Sequence, residues 1–168
     1  TSDLERAWRT AEVVVGERLP IRRDARLREA HFGRFEGCTQ QEARERYPEE
    51  YGAWRRDSLR HRPPGGETLE EMVARCSAAA RQAMEAHEGG TVALVAHGGT
   101  VRAVLIGLLE LPLAFWSRIR VENCSLTRLQ PSDKGPVLAL LNDTSHLRGT
   151  EAASRHAGWE DAGVGKAG

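Results

Sequence analysis

The chain predicts an α/β sandwich with a largely parallel sheet. Three observations carry that expectation. Stretches with helical spacing alternate with apolar runs, as in folds that cover a sheet with helices. Thr91-Val92-Ala93-Leu94-Val95-Ala96 is an uninterrupted apolar run, the pattern of a strand covered on both faces. The length, 168 residues, suits one compact domain with a real core and not comfortably two.

The elements follow in order. Thr1 to Arg18 reads as a helix: Ser2 and Glu5 form a capping-box pattern, and Leu4, Ala7, Trp8, Ala11, Val14 and Val15 share one apolar face. Leu19 to Gly37 is mostly irregular, with a short extended piece near Ile21. Thr39 and Glu42 repeat the capping pattern and open a short helix that stops near Pro48, and a second short helix covers Glu49 to Asp57. Arg60 to Glu67 is a loop through Pro63, Pro64, Gly65 and Gly66. Thr68 and Glu71 cap a long helix to about His87, which Gly89-Gly90 ends. The apolar strand follows and ends at His97-Gly98-Gly99-Thr100, where a helix begins that runs to about Leu111. Arg120 to Leu129 and Val137 to Asn142 read as later strands joined by a turn. Residues 149–168 are poor in large apolar side chains and read as a disordered tail behind a domain of residues 1–148.

Composition narrows the function. Lys+Arg and Asp+Glu are both 24, which argues against a strongly basic nucleic-acid surface. Cys38, Cys76 and Cys124 stand apart, so neither a disulfide framework nor a zinc site is expected, and a reducing cytoplasm fits. No signal peptide is recognisable, and the most apolar stretch, Ala103 to Trp116, is too short to span a bilayer. Neither nucleic acid nor membrane is therefore expected as a partner.

Ligands of open α/β sheets sit beyond the carboxyl ends of the strands, which places His97 at such an edge. Gly98 and Gly99 let the backbone approach a ligand, and the helix start offers free N–H groups. A histidine that merely ends a strand explains the same string. Arg6 lies in the first turn of its helix, where a cation opposes the dipole and a bound anion would relieve that cost; an ordinary surface arginine is the alternative. Glu29 lies in a loop between aromatics and glycines, where a carboxyl could protonate a leaving alkoxide; Glu36 is the alternative acid, and solvated charge the bland explanation. The glycines lack a G-K-[ST] ending, so a nucleotide P-loop is disfavoured.

Taken together these strings resemble the histidine phosphatases of the phosphoglycerate-mutase-like superfamily. Ser2-Asp3-Leu4-Glu5-Arg6-Ala7 with Thr10-Ala11-Glu12 resembles their S-D-L-x-R-A-x-x-T-A-E segment. Leu27 through Gly37 resembles the L-x-E-x-x-x-G-x-x-E-G loop, and Pro64-Gly65-Gly66-Glu67-Thr68 the P-G-G-E-S/T helix start. Val95-Ala96-His97-Gly98-Gly99 with Arg102 resembles V-x-H-G-G-x-x-R, Asn123-Cys124-Ser125 the N-C/A-S strand start, and Asn142-Asp143 with His146-Leu147 the usual ending.

The resemblance implies a three-layer α/β/α sandwich with a mostly parallel central sheet. It implies hydrolysis of a small phosphorylated metabolite through a phosphohistidine, with no metal or cofactor needed. Glu29 would be the general acid, His97 a pocket histidine stabilising the transferring phosphoryl group, and Arg6, His97 and Gly98 the phosphate contacts. The short stretch between Glu36 and Gly65 is closest in pattern to the α-ribazole phosphatase or broad-specificity branch, with mutase-type transfer as the alternative. The family's nucleophile sits in an R-H-G motif on the first strand, and the chain as given, which opens on S-D-L, lacks that strand; it is expected upstream of Thr1. Ser154-Arg155-His156-Ala157-Gly158 is the nearest string and reads as coincidence. A truncated, non-catalytic phosphate binder is therefore a further alternative. A homodimer is left open.

Overall fold

The computed structural model describes residues 1–149. Its helices are α1 (Glu5–Val15), α2 (Gln40–Arg46), α3 (Pro48–Arg56), α4 (Leu69–Glu85) and α5 (Gly98–Leu108), and its strands are β1 (Leu126–Gln130) and β2 (Val137–Asp143). Short 3-10 turns occupy Ala25–Leu27, Gly33–Phe35, Leu113–Arg118 and Ser145–Leu147. The expected tail lies outside the described residues apart from Gly149, as do Arg155 and His156. The described chain forms two compact units.

The first unit comprises Thr1–Ala30 and Leu69–Ile119. Met72, Cys76 and Ala103 form its buried cluster, with Val73, Val104, Ala30 and Trp116 packed against it. Small residues on α4 let α5 come close: a Cβ on Gly107 would lie 2.5 Å from the Ser77 Cβ. Fully buried Met72 and largely buried Leu105 and Ile106 each contribute about 1.5–3 kcal/mol by leaving water. On α1 only Ala7 and Ala11 are buried, whereas Val14, expected on the inner face, is exposed. Trp8 instead lies against two guanidinium groups, Arg9 at 4.3 Å and Arg23 at 4.0 Å from the ring centre.

The expected capping box at Ser2 does not form. The helix begins at Glu5 with Leu4 as its cap, and no side chain caps it. Ser2 is withdrawn because it is fully buried and its hydroxyl is engaged elsewhere. The expected strand at 91–96 is also altered. Leu94 is 37% exposed, so the run is not covered on both faces, and no sheet ladder includes it among the described residues. Strands need neighbours, and here the backbone partners are few: the Ser2 N–H donates to the Val95 carbonyl (3.0 Å). Thr1 in turn donates to the Arg22 carbonyl (2.7 Å) and accepts from the Asp24 N–H (2.8 Å), the bonding pattern of a parallel bridge.

The second unit comprises His31–Thr68 and residues 120–149. Phe35 is wholly buried, with Tyr47, Tyr51 and Trp54 rings 5.6–5.8 Å from it. The capping box at Thr39 and Glu42 forms as expected, and Pro48 starts α3 rather than only ending α2. Gly33 has φ +54°, and a Cβ there would meet the Pro64 carbonyl oxygen at 2.2 Å, so two loop backbones touch. β1 and β2 pair antiparallel, Leu126 opposite Asp143 and Gln130 opposite Val137. This is the one sheet among the described residues. β1 starts later than expected because Asn123 and Cys124 make a turn, with Cys124 at φ +58°.

Candidate active site

The residues expected to carry chemistry in the first unit gather around the start of α5. His97 is its cap residue, with extended backbone (φ −120°, ψ 163°). The first N–H groups of a helix lack intrahelical partners and carry a partial positive charge. One of them is used here by a carboxylate. Glu29 Oε2 accepts the Gly99 N–H (3.0 Å), and Oε1 accepts the Ala30 N–H (2.9 Å). Gly98 opens α5 as expected, but the amide that meets Glu29 belongs to Gly99. A Cβ on Gly99 would lie 2.1 Å from Glu29 Oε1, so only glycine admits the carboxylate there.

The backbone that carries Glu29 is held in turn by side chains of α4 and α5. Arg75 on α4 donates to the Arg26 (2.7 Å), Arg28 (2.8 Å) and Glu29 (3.1 Å) carbonyls. Thr100 on α5 donates to the Leu27 (3.2 Å) and Arg28 (3.0 Å) carbonyls. The Arg28 guanidinium grips Asp3 through two bonds of 2.7 and 2.5 Å, and this holds the Asp3 carboxyl below its ordinary range.

His97 is buried, and its Nε2 lies 2.9 Å from the Ser2 Oγ. Burial pushes its pKa below the ordinary histidine value; Glu29 opposes that shift, and Arg6 and Arg75 add to it. The imidazole is therefore neutral at pH 7. Arg6 lies in the first turn of α1, exposed, with its backbone carbonyl accepting the Thr10 hydroxyl. Arg102, also on α5, is buried; its Nε donates to the Ile119 carbonyl (2.8 Å) and its guanidinium lies 5.6 Å from the Trp116 ring centre.

The fold thus brings Glu29 and His97 to one helix start, with the charge of Arg6 acting on that histidine. Such a set can bind an anion at free N–H groups and move a proton between a carboxyl and a bound oxygen. Sequence reasoning missed Arg75, which no local pattern distinguishes from other helix arginines. It also assigned Ser2 to a cap, since S-x-x-E fits both roles. Among the described residues no group of three His, Cys, Asp or Glu side chains is placed to hold a metal. No helix of the described residues is long and apolar enough to cross a membrane.

Comparison with known proteins identifies the family. The sequence profile of the histidine phosphatase superfamily (branch 1) matches residues 1–144. A glucosyl-3-phosphoglycerate phosphatase of Mycobacterium tuberculosis is 39% identical over 140 residues, covering 77% of this chain and 62% of that protein. This chain thus spans about three fifths of that relative's length. A protein named probable phosphoglycerate mutase from Salmonella newport is 32% identical, covering 88% of this chain and 71% of that one. Among solved structures, Bacillus stearothermophilus YhfR superposes with a TM-score of 0.79 at 31% identity, covering 87% of this chain and 73% of that one. The α-ribazole phosphatase of Shigella flexneri gives 0.77 at 25% identity, covering 84% and 71%. With a family match over nearly all the described residues, this chain belongs to the histidine phosphatase superfamily, branch 1.

Proposed function

We propose that the protein hydrolyses small phosphomonoesters through a phosphohistidine intermediate. One observation carries this: the Glu29 carboxylate sits on the Gly99 N–H at the start of α5, next in line to the buried His97. The phosphoryl group binds among His97, Gly98 and Arg6, whose donors match the charge on its oxygens. A nucleophilic histidine attacks phosphorus, the ester P–O bond breaks, and Glu29, entering this step as the protonated carboxyl, gives its proton to the departing oxygen and becomes the carboxylate. Water then attacks phosphorus, the P–N bond breaks to return the histidine, the Glu29 carboxylate takes a proton from that water, and phosphate leaves. In the family resembled, the attacking histidine stands in an Arg-His-Gly string, and none of the six histidines here lies in one.

Residues 1–148 then form part of one phosphoglycerate-mutase-like domain, a three-layer sandwich with a mostly parallel sheet, working in the cytoplasm on a small phosphorylated metabolite. Relatives named as phosphatases of glucosyl-3-phosphoglycerate and α-ribazole phosphate support that class. A second reading is a phosphate binder without turnover.

The test is turnover of p-nitrophenyl phosphate by the full-length protein, with Glu29→Gln and His97→Ala alongside. Each substitution is expected to lower kcat about 10²-fold or more. Equal turnover in all three proteins overturns the assignment. A histidine labelled at neutral pH by a phosphodonor excludes the binder, and conversion of 3-phosphoglycerate to 2-phosphoglycerate would make the protein a mutase.

A further inference from the structure

Ser2 faces His97 and has no part in the chemistry proposed above. It is fully buried, and its N–H donates to the Val95 carbonyl at 3.0 Å. Its Oγ accepts the Leu4 N–H (3.3 Å) and lies 2.9 Å from His97 Nε2; among the described residues these are the hydroxyl's polar contacts. A serine hydroxyl offers one hydrogen and two lone pairs. The Leu4 amide can only donate, so it takes a lone pair. The hydrogen then has one acceptor in reach, Nε2, and only if Nε2 carries no proton. The opposite arrangement, Nε2–H donating to Oγ, would strand the hydroxyl hydrogen in a buried site, a costly outcome.

We propose that Ser2 is a positioning residue that holds His97 by Nε2 in its Nδ1–H form and so presents Nδ1–H to the phosphoryl group. A second observation supports the direction of the ring. Every buried side-chain nitrogen or oxygen among the described residues has a hydrogen-bond partner. Nδ1 has no partner there, so it is open to solvent and to a ligand. Burial also keeps the ring neutral against Glu29 and Asp3, which favour its charge, and Arg6 and Arg75 act with burial. A neutral ring has one N–H to give, and Ser2 decides which nitrogen gives it. The assignment of the anion as phosphate rests on the proposed function; the tautomer does not.

The two are separated by one set of measurements on the ¹⁵N-labelled full-length protein. Two-bond ¹H–¹⁵N spectra at pH 7.5 are expected to show His97 Nδ1 protonated and Nε2 bare, and added inorganic phosphate to move the Nδ1 signal. Ser2→Ala is expected to mix the tautomers and to lower kcat on p-nitrophenyl phosphate about tenfold, as for one lost neutral hydrogen bond, with KM nearly unchanged. Ser2→Thr, which keeps the hydroxyl, is expected to restore the Nδ1–H form. A protonated Nε2 in the unsubstituted protein overturns the proposal whether or not either variant folds. So does a Ser2→Ala spectrum identical to the parent's. An Nδ1–H ring in a protein that turns over no phosphoester would support the role of Ser2 and sink the phosphatase assignment.

Discussion

Replacing Gly99 by alanine places one methyl group where the Glu29 carboxylate now sits. The new Cβ would lie 2.1 Å from Oε1, whereas ordinary contact begins near 3.4 Å, so the carboxylate must retreat by about 1.3 Å. That retreat breaks the 3.0 Å bond to the Gly99 N–H. A bond to a charged group is worth about 1.5–3 kcal/mol. Alanine in a helix returns up to about 1 kcal/mol, so the net loss of stability is about 1–2 kcal/mol. The loss of function is larger, because a displacement of about 1 Å at a reacting group costs on the order of 10²-fold in rate. The assay is a double-mutant cycle: urea midpoints and p-nitrophenyl phosphate turnover for Gly99→Ala, Glu29→Ala and the pair. Without the Glu29 carboxylate the nearest obstacle is the flexible Met72 Cε at 3.2 Å, so Gly99→Ala should then cost almost nothing. Turnover of Gly99→Ala within twofold of the parent, or an equal cost in both backgrounds, would refute the reasoning.

Other expectations follow from the same geometry. Gly33→Ala combines a left-handed backbone with a Cβ 2.2 Å from the Pro64 carbonyl oxygen, and should lower stability by roughly 3 kcal/mol in urea titrations. Thr39→Ala removes one half of the capping box on α2 and should cost about 1 kcal/mol in the same measurement. The depressed pKa of His97 makes stability depend on pH: it is complete above the unfolded histidine pKa of about 6.5 and falls as pH drops from there through the folded pKa, because in that window the unfolded chain holds the extra proton. Urea midpoints from pH 8 to 5 should therefore fall more steeply for the parent than for His97→Gln; equal slopes would show that His97 is not the group responsible.

The helices were the most legible part of the sequence, for identifiable reasons. Thr39 with Glu42, Pro48 and Gly89 each mark a boundary through local chemistry, and α2, α3 and α4 lie within a few residues of the expected limits. Glu29 and His97 were legible because each stands in a distinctive local string. The strand at 91–96 was readable as apolar, but burial depends on neighbours that no local pattern specifies, and Leu94 is partly exposed. Ser2 illustrates a different limit. Its spacing to Glu5 satisfies the capping rule, yet a histidine 95 positions away in sequence claims its hydroxyl. Arg75 was invisible for the same reason, since its partners are carbonyls 46 to 49 positions earlier.

That last contact shapes how this site can drift in evolution. Arg75 and Thr100 grip main-chain carbonyls, which every residue type supplies alike. The clamp is therefore blind to the side chains of the segment it holds. Exchanges at Arg26 or Arg28 leave it intact, while a single change at Arg75, far along the sequence, loosens three carbonyls at once. Heritable variation in the placement of Glu29 is thus written mainly on the two helices behind it.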